Sequence, residues 1–271
     1  MQTFAPSQAP GAFLEALIFD VDGTLADTEE AHRQAFNQAF CAFGLDWNWT
    51  RDAYGELLQV TGGKERISSH LDALPLATPE RQRLLGLIPG IHAAKTRYYN
   101  LRVGLGRVPP RSGVGRLLNE ARAAGVRLAI ASTTTAENIT SLISASFGQA
   151  ALTWFDAIVA GDAVAKKKPA PDVYLQALAR LNVPAAHAIA IEDSEIGVRA
   201  AKAAGIFTLA TPSPWTRTQD FSCADLVLPS LAEPEDPFDA ADESRIGAKY
   251  VGLAQLAAVH AASGLLPKER N

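Results

Sequence analysis

The chain has only two cysteines, Cys41 and Cys223, in 271 residues, and neither lies in a CxxC pair. A cysteine-built zinc site and thiol–disulfide exchange are therefore excluded as its chemistry, and both cysteines read as ordinary small apolar side chains. No stretch reaches the roughly 18 apolar residues that a membrane span needs, and the opening MQTFAPSQAPGAF lacks the basic region and apolar run of a secretory signal. Positive charge is not in excess: 25 Lys and Arg stand against 29 Asp and Glu, a formal net charge of -4. Such a balance offers no general attraction to nucleic acid or anionic lipid, so any phosphate must be held by a local site. His32, His70, His92, His187 and His260 show no compact zinc-ligand spacing, and no solenoid period appears. The expectation is a soluble cytoplasmic enzyme with a small-molecule substrate and no nucleic-acid or membrane partner. The plastid stroma is the alternative if a transit peptide was removed.

What the chain does contain is a rhythm. Phe13 to Phe19 is a short apolar run ending at Asp20, as expected of a buried strand. From about residue 100, apolar runs (Arg127 to Ala131, Phe155 to Val159, Ala186 to Ile191, Ile206 to Ala210) alternate with helical patterns (Gly113 to Ala124, Ala136 to Phe147, Asp172 to Leu181, Glu195 to Ala204). Short strands joined by crossover helices predict an α/β fold, a Rossmann-like parallel sheet covered on both faces. Gly125 and Gly205 each follow an alanine-rich helix end and suit a positive-φ stop. Between about Thr28 and Leu105 no comparable strands occur, and the segment reads as a helical insertion. The expected division is a core of residues 14–27 and 104–230, an inserted α-helical cap of residues 28–103, and a C-terminal connection and packing helix over residues 231–271, helix-like from Arg245 to Ser263. An insertion leaving just after the first strand is placed to cover the carboxyl edge of the sheet, where open α/β folds bind ligands.

Polar groups recur at the predicted strand ends. In FDVDGTLADTEE, Asp20 ends a strand, Asp22 lies two residues on, and Gly23 permits an abrupt turn. One carboxylate can attack phosphorus while the other moves protons, although Asp, Gly and Thr are also ordinary turn residues. Ser132 and Thr133 follow the next strand and suit either phosphate oxygens or a helix N-cap. Lys168, before Pro169, suits either an active-site cation or an exposed basic turn. Glu192 and Asp193 suit either magnesium, together with Asp20 and the Asp22 carbonyl, or another cap. The four signals together favour metal-assisted phosphoryl transfer over four unrelated turns.

DVDGT at Asp20 to Thr24, the Ser132 turn, Lys168-Pro169 and Glu192-Asp193 resemble the four motifs of haloacid-dehalogenase-like phosphotransferases, across about Leu14 to Leu228. The resemblance implies an aspartyl-phosphate on Asp20, acid–base action by Asp22, and phosphate contacts from Ser132 and Lys168; Thr24 and Thr133 are expected beside them as phosphate- or substrate-binding residues. It also implies Mg2+ held by Asp20, the Asp22 carbonyl and Asp193, with Glu192 tuning or joining that shell. Asp22 favours phosphotransfer over dehalogenation.

In the insertion, VTGGKERISSHL places Gly62 and Gly63 at a tight turn and offers Lys64 and Arg66 to a second anionic group; a solvated helix start is the equal alternative. Asp27 suits either a sugar hydroxyl or a helix cap, and His32 either substrate positioning or an exposed helix site. Trp47 and Trp49 are expected to pack within the cap. With TGGKERI, AKKKPAPDVY and IEDSEIGVRAAKAAG, the chain is similar to CbbY-type sugar-bisphosphate phosphatases, relatives of β-phosphoglucomutases. That similarity implies a phosphorylated sugar as partner, xylulose-1,5-bisphosphate, an inhibitory by-product of Rubisco, as substrate, and a monomer. Asp27 departs from the glutamate usual there.

Overall fold

The computed structural model describes residues 14–264; the leader through Phe13, and residues 265–271 of the expected terminal segment, lie outside them. The first strand, β1 (Ala16–Phe19), is buried at all four positions. Leu17 and Phe19 pack into a cluster of large side chains on one face of the sheet, while Ala16 and Ile18 pack into an alanine-rich cluster on the other. Burial on both faces demands a continuous apolar run, which is why this strand is readable in the sequence.

Five more strands follow: β2 (Arg127–Ala131), β3 (Ala157–Val159), β4 (Ala188–Glu192), β5 (Phe207–Ala210) and β6 (Leu226–Val227). The sheet order is β3-β2-β1-β4-β5-β6 and every pairing is parallel. Because β1 has β2 on one side and β4 on the other, the winding reverses at β1 and opens a crevice at the strands' carboxyl ends. Between β1 and β2 the chain forms α1 (Glu29–Ala42), α2 (Arg51–Leu57), α3 (Gly63–Asp72), α4 (Thr78–Gly104) and α5 (Val114–Ala123). The crossovers α6 (Ala136–Phe147), α7 (Asp172–Leu181) and α8 (Glu195–Ala203) then alternate with the strands.

Helices α1 to α4 enclose their own apolar core, built around Phe36, Phe40, Trp49, Tyr54, Ile67 and Leu71, with Trp47 partly buried against it. Trp215, from the loop after β5, packs onto that cluster from the sheet side. Its indole meets Tyr54 edge-on at 5.5 Å and lies under the Arg51 guanidinium at 4.3 Å.

Several expectations need adjustment. Strand β4 begins at Ala188, because Ala185–His187 forms a 3-10 turn. Strand β3 begins at Ala157, since the Asp156 carboxylate turns to accept from the Leu128 amide at 3.0 Å. The terminal helix is two helices, α9 (Ala240–Ile246) and α10 (Leu253–Ala262); Gly247 at φ 69° ends the first. Cys41 and Cys223 are exposed and free, not packed as small apolar residues. Gly125 and Gly205 do adopt positive φ, 74° and 78°.

Candidate active site

The ends of β1 and β4 and the loop between β3 and α7 bring charge to one point. Lys168 Nζ donates to Asp20 Oδ1 at 2.7 Å and to Glu192 Oε1 at 2.6 Å, and all three groups are buried. Glu192 ends β4 and also accepts from the Tyr174 hydroxyl at 2.6 Å, a residue of α7. Its second oxygen accepts from the Asp193 amide and the Ser194 hydroxyl, so both oxygens have donors. The nearest face of α8 carries Gly197, where a Cβ would sit 2.0 Å from Glu192 Oε2, so the glutamate has room only because that residue is glycine.

Asp193 follows directly. Its carbonyl accepts from Thr216 Oγ1 at 2.6 Å, which ties it to the loop after β5. On its other side lies Gly23 at φ 85°; a Cβ there would fall 2.1 Å from Asp193 Oδ2. Glycine is required at this turn both by its backbone conformation and by the close approach of the carboxylate.

Asp20, Glu192 and Asp193 can place one oxygen each within 4.8 Å of one another. Burial pushes the Asp20 carboxyl up to about 7, with Glu192 adding to the rise and Lys168 opposing it. Burial likewise pushes Asp193 well above the usual carboxylate range, and the neighbouring Asp20 and Glu192 charges push it further. For Lys168 the two carboxylates outweigh burial and hold the ammonium above its usual range. One cation thus faces three buried carboxylates, and the all-oxygen donor set fits a hard divalent cation.

Asp22 stands across the crevice. Its Oδ1 accepts from Thr28 Oγ1 at 2.6 Å and from His32 Nε2 at 2.9 Å. Burial alone would raise this carboxyl; the His32 and Thr28 contacts, with Lys95 behind them, hold it well below the usual range. Lys95 Nζ lies 2.7 Å from His32 Nδ1 and is pulled down to about 8 by burial. Burial and Lys95 also lower His32, which makes the ring neutral at pH 7. A neutral ring accepting from Lys95 at Nδ1 carries its proton on Nε2, where it donates to Asp22. The ring is stacked on buried Tyr99 at 4.0 Å, so His32 is a buried member of the site and not an exposed helix residue.

The crevice holds Asp20, Asp22, His32, Gly62, Gly63, Arg66, Thr133, Lys168 and Asp193 from the sequence reading. Lys64 lies in an adjoining cavity with His92, Asn138 and Lys167, which shares Gly63, Lys95, Thr133 and Thr134 with the first. Thr24 and Ser132 are buried, with Ser132 Oγ accepting from the Thr134 amide at 3.4 Å. Asp27 is placed elsewhere: it is half-exposed, 3.7 Å from Arg111 Nε, and lines a separate cleft with Arg102 and Arg107. Its side chain thus stands apart from the crevice that gathers the other expected site residues. Arg66 is also more constrained than expected, since Nη1 donates to the Tyr54 hydroxyl at 2.8 Å and Nε to the Leu57 carbonyl at 3.1 Å.

Glu29, Lys95, Thr134, Thr216 and Gln219 also line the crevice. Glu29 opens α1, where an acid is an ordinary partner of the helix dipole, so its sequence position carries no distinguishing signal.

Two contacts close the crevice from the helical side. Thr61 Oγ1 donates to the Lys168 carbonyl at 2.7 Å, and Lys167 pairs with Glu65 at 2.6 Å.

The family model of haloacid dehalogenase-like hydrolases matches residues 17–211. The chain is 50% identical over 219 residues to Protein CbbY of Rhodobacter capsulatus, covering 81% of this chain and 94% of that protein. It is 49% identical to the plasmid-encoded Protein CbbY of Cupriavidus necator, covering 83% and 88% of the two chains. Among solved structures it is similar to a CbbY variant from Rhodobacter sphaeroides in complex with xylulose-1,5-bisphosphate, with 47% identity, a TM-score of 0.75, and coverage of 81% of this chain and 96% of that one.

Proposed function

The chain belongs to the haloacid dehalogenase-like hydrolases, and from that membership we propose that it is a magnesium-dependent sugar-bisphosphate phosphatase acting on xylulose-1,5-bisphosphate. The observation that carries the reading is Lys168 bridging Asp20 and Glu192 at 2.7 and 2.6 Å, inside a crevice that continues into a second cationic cavity. The likeness to a xylulose-1,5-bisphosphate-bound structure supports the choice of sugar.

Asp20 is the nucleophile. With its proton displaced, one oxygen attacks the phosphorus of the sugar phosphate, the ester P–O bond breaks, and an aspartyl-phosphate forms. Asp22 protonates the leaving sugar oxygen and later takes a proton from the water that opens the acyl phosphate. The donors now holding Asp22 keep it ionised, so it must leave Thr28 and His32 to become the acid. Lys168 offsets charge on the transferring phosphoryl group and orients Asp20, while Glu192 and Tyr174 hold that lysine in place. Asp20, Asp193 and the Asp22 carbonyl are the groups to hold Mg2+, which when bound offsets phosphoryl charge and permits both carboxylates to remain ionised.

The second phosphate belongs in the adjoining cavity with Lys64 and Lys167, and its binding energy favours the closed site. The crevice is complete within one chain, in keeping with a monomer. The test is a panel of sugar phosphates with Mg2+, scoring free phosphate and sugar products. The expected result is highest kcat/KM on xylulose-1,5-bisphosphate, above ribulose-1,5-bisphosphate and all monophosphates. Equal efficiency on an unrelated monophosphate overturns the substrate, and phosphate-conserving isomerisation of β-glucose-1-phosphate overturns the hydrolase reading.

A further inference from the structure

Glu29 has no role in the mechanism above, yet it faces the same crevice as Asp20 and Lys168. Its Oε2 accepts from the Tyr54 hydroxyl at 2.7 Å, and that hydroxyl in turn accepts from Arg66 Nη1 at 2.8 Å. Tyr54 is fully buried in the helical core, with its ring 6.2 Å from Phe36 and 5.9 Å from Trp49. The carboxylate is therefore fixed from behind by a packed side chain. Its other oxygen, Oε1, has no hydrogen-bond partner among the described residues and is left to the crevice.

An ionised carboxylate only accepts hydrogen bonds. It suits a hydroxyl and repels a phosphate. Lys168 lies on one side of the crevice and Lys64 and Lys167 line the adjoining cavity, while Arg66, bonded to the same Tyr54 hydroxyl, and Lys95 flank Glu29 within the crevice. A ligand with an anion at each end and hydroxyl donors between them matches that sequence of charges; a ligand without the donors leaves Oε1 desolvated and unpaired.

We propose that Glu29 is a specificity-determining residue, held by Tyr54, that accepts a hydrogen bond from a hydroxyl on the carbon chain between the two phosphates. The proposal rests on the sugar-bisphosphatase reading and assigns to Glu29 the hydroxyl recognition that the sequence suggested for Asp27.

The decisive variant is Glu29→Gln. Its amide oxygen can still accept from Tyr54, which keeps the helical packing, but its amide nitrogen then faces the crevice and offers a donor where the wild type offers an acceptor. Xylulose-1,5-bisphosphate is compared with pentane-1,5-diyl bisphosphate, which has the same two phosphates and no hydroxyl. Sites built to bond a hydroxyl reject analogues lacking it by large factors, up to ~10⁴; the expected wild-type preference is at least ~100-fold in kcat/KM. In E29Q the ratio falls at least ~10-fold through loss on the sugar. An unchanged ratio, or an equal fall on both compounds at wild-type melting temperature, overturns the proposal by showing a purely structural carboxylate. Failure of the substrate reading looks different: the wild type leaves xylulose-1,5-bisphosphate untouched while releasing phosphate from another sugar phosphate. The same ratio is then taken between that sugar phosphate and its deoxy counterpart, where a fall in E29Q supports the role of Glu29 and an unchanged ratio overturns it.

Discussion

The sheet side and the helical side of the crevice position their polar groups by different means. On the sheet side, Asp20, Ser132 and Asp193 each follow directly on a parallel strand, so the backbone register delivers them to one edge. On the helical side, Glu29, His32, Arg66 and Lys95 are aimed by what packs behind them: Tyr54 behind Glu29 and Arg66, Tyr99 and Asp22 around His32. Register is set by many ladder bonds at once, whereas packing depends on individual side chains. The first arrangement suits chemistry common to every substrate, and the second suits a wall that differs between substrates.

Asp20→Asn removes the group on which every phosphate ester depends. Loss of the nucleophile should lower kcat at least ~10⁴-fold on every phosphate ester, the scale seen when a nucleophile is removed, with folding intact by circular dichroism. A sugar-selective loss would contradict the division. Lys168→Met should follow, with ~10²–10³-fold lower kcat and destabilisation of about 3 kcal/mol in urea unfolding, because Asp20 and Glu192 lose their shared cation in a buried site.

A third prediction uses pH. Asp20 has a folded pKa of about 7 against an ordinary 3.8. Its contribution to stability is therefore fully present below about pH 4 and is lost as pH rises to about 7, since the folded state keeps a proton that the unfolded chain has released. In metal-free buffer the melting temperature of D20N relative to wild type should accordingly climb between those limits and then level, a difference of the order of a few kcal/mol. Added Mg2+ should raise the wild-type melting temperature more at pH 8 than at pH 6; a flat difference across pH would remove the unmet negative charge on which the cation site is argued.

The smallest effect belongs to the seam. Thr61→Val deletes the donor to the Lys168 carbonyl while keeping side-chain shape, and roughly a few-fold rise in KM with nearly unchanged kcat is expected for one lost hydrogen bond. A kcat loss matching that of Lys168→Met would mean the helical side also builds the reaction centre.

The same division explains what the sequence could reveal. Strand-end groups are readable because an apolar run announces a strand and the next polar residue announces its end; Asp20 and Asp193 are expected in one site on those grounds and lie there, while Lys168, in the loop beyond β3, is marked in the sequence only by its basic turn and Pro169 and joins them. The neighbouring helical contacts carry no such signal. Asp27 and Glu29 are two acids two residues apart, and only the path of the chain into α1 turns the first towards Arg111 and the second into the crevice. The sequence leaves His32 open between substrate positioning and an exposed helix site because its partners, Asp22 and Lys95, are 10 and 63 residues away. The break at Gly247 escapes the sequence for the converse reason, as helical composition continues on both sides of it.

Trp215 gives the molecule an optical signal of its own. Trp47 and Trp49 belong to the helical core and Trp154 packs with Phe147, while Trp215 spans the seam between Arg51 and Tyr54. Separation of the two sides would strip the indole of its cation and its aromatic neighbour and wet it, so its fluorescence should shift to the red on opening and back on ligand capture. The difference spectrum between wild type and Trp215→Phe isolates that one emitter, and stopped-flow recording then follows closure in real time without an attached dye.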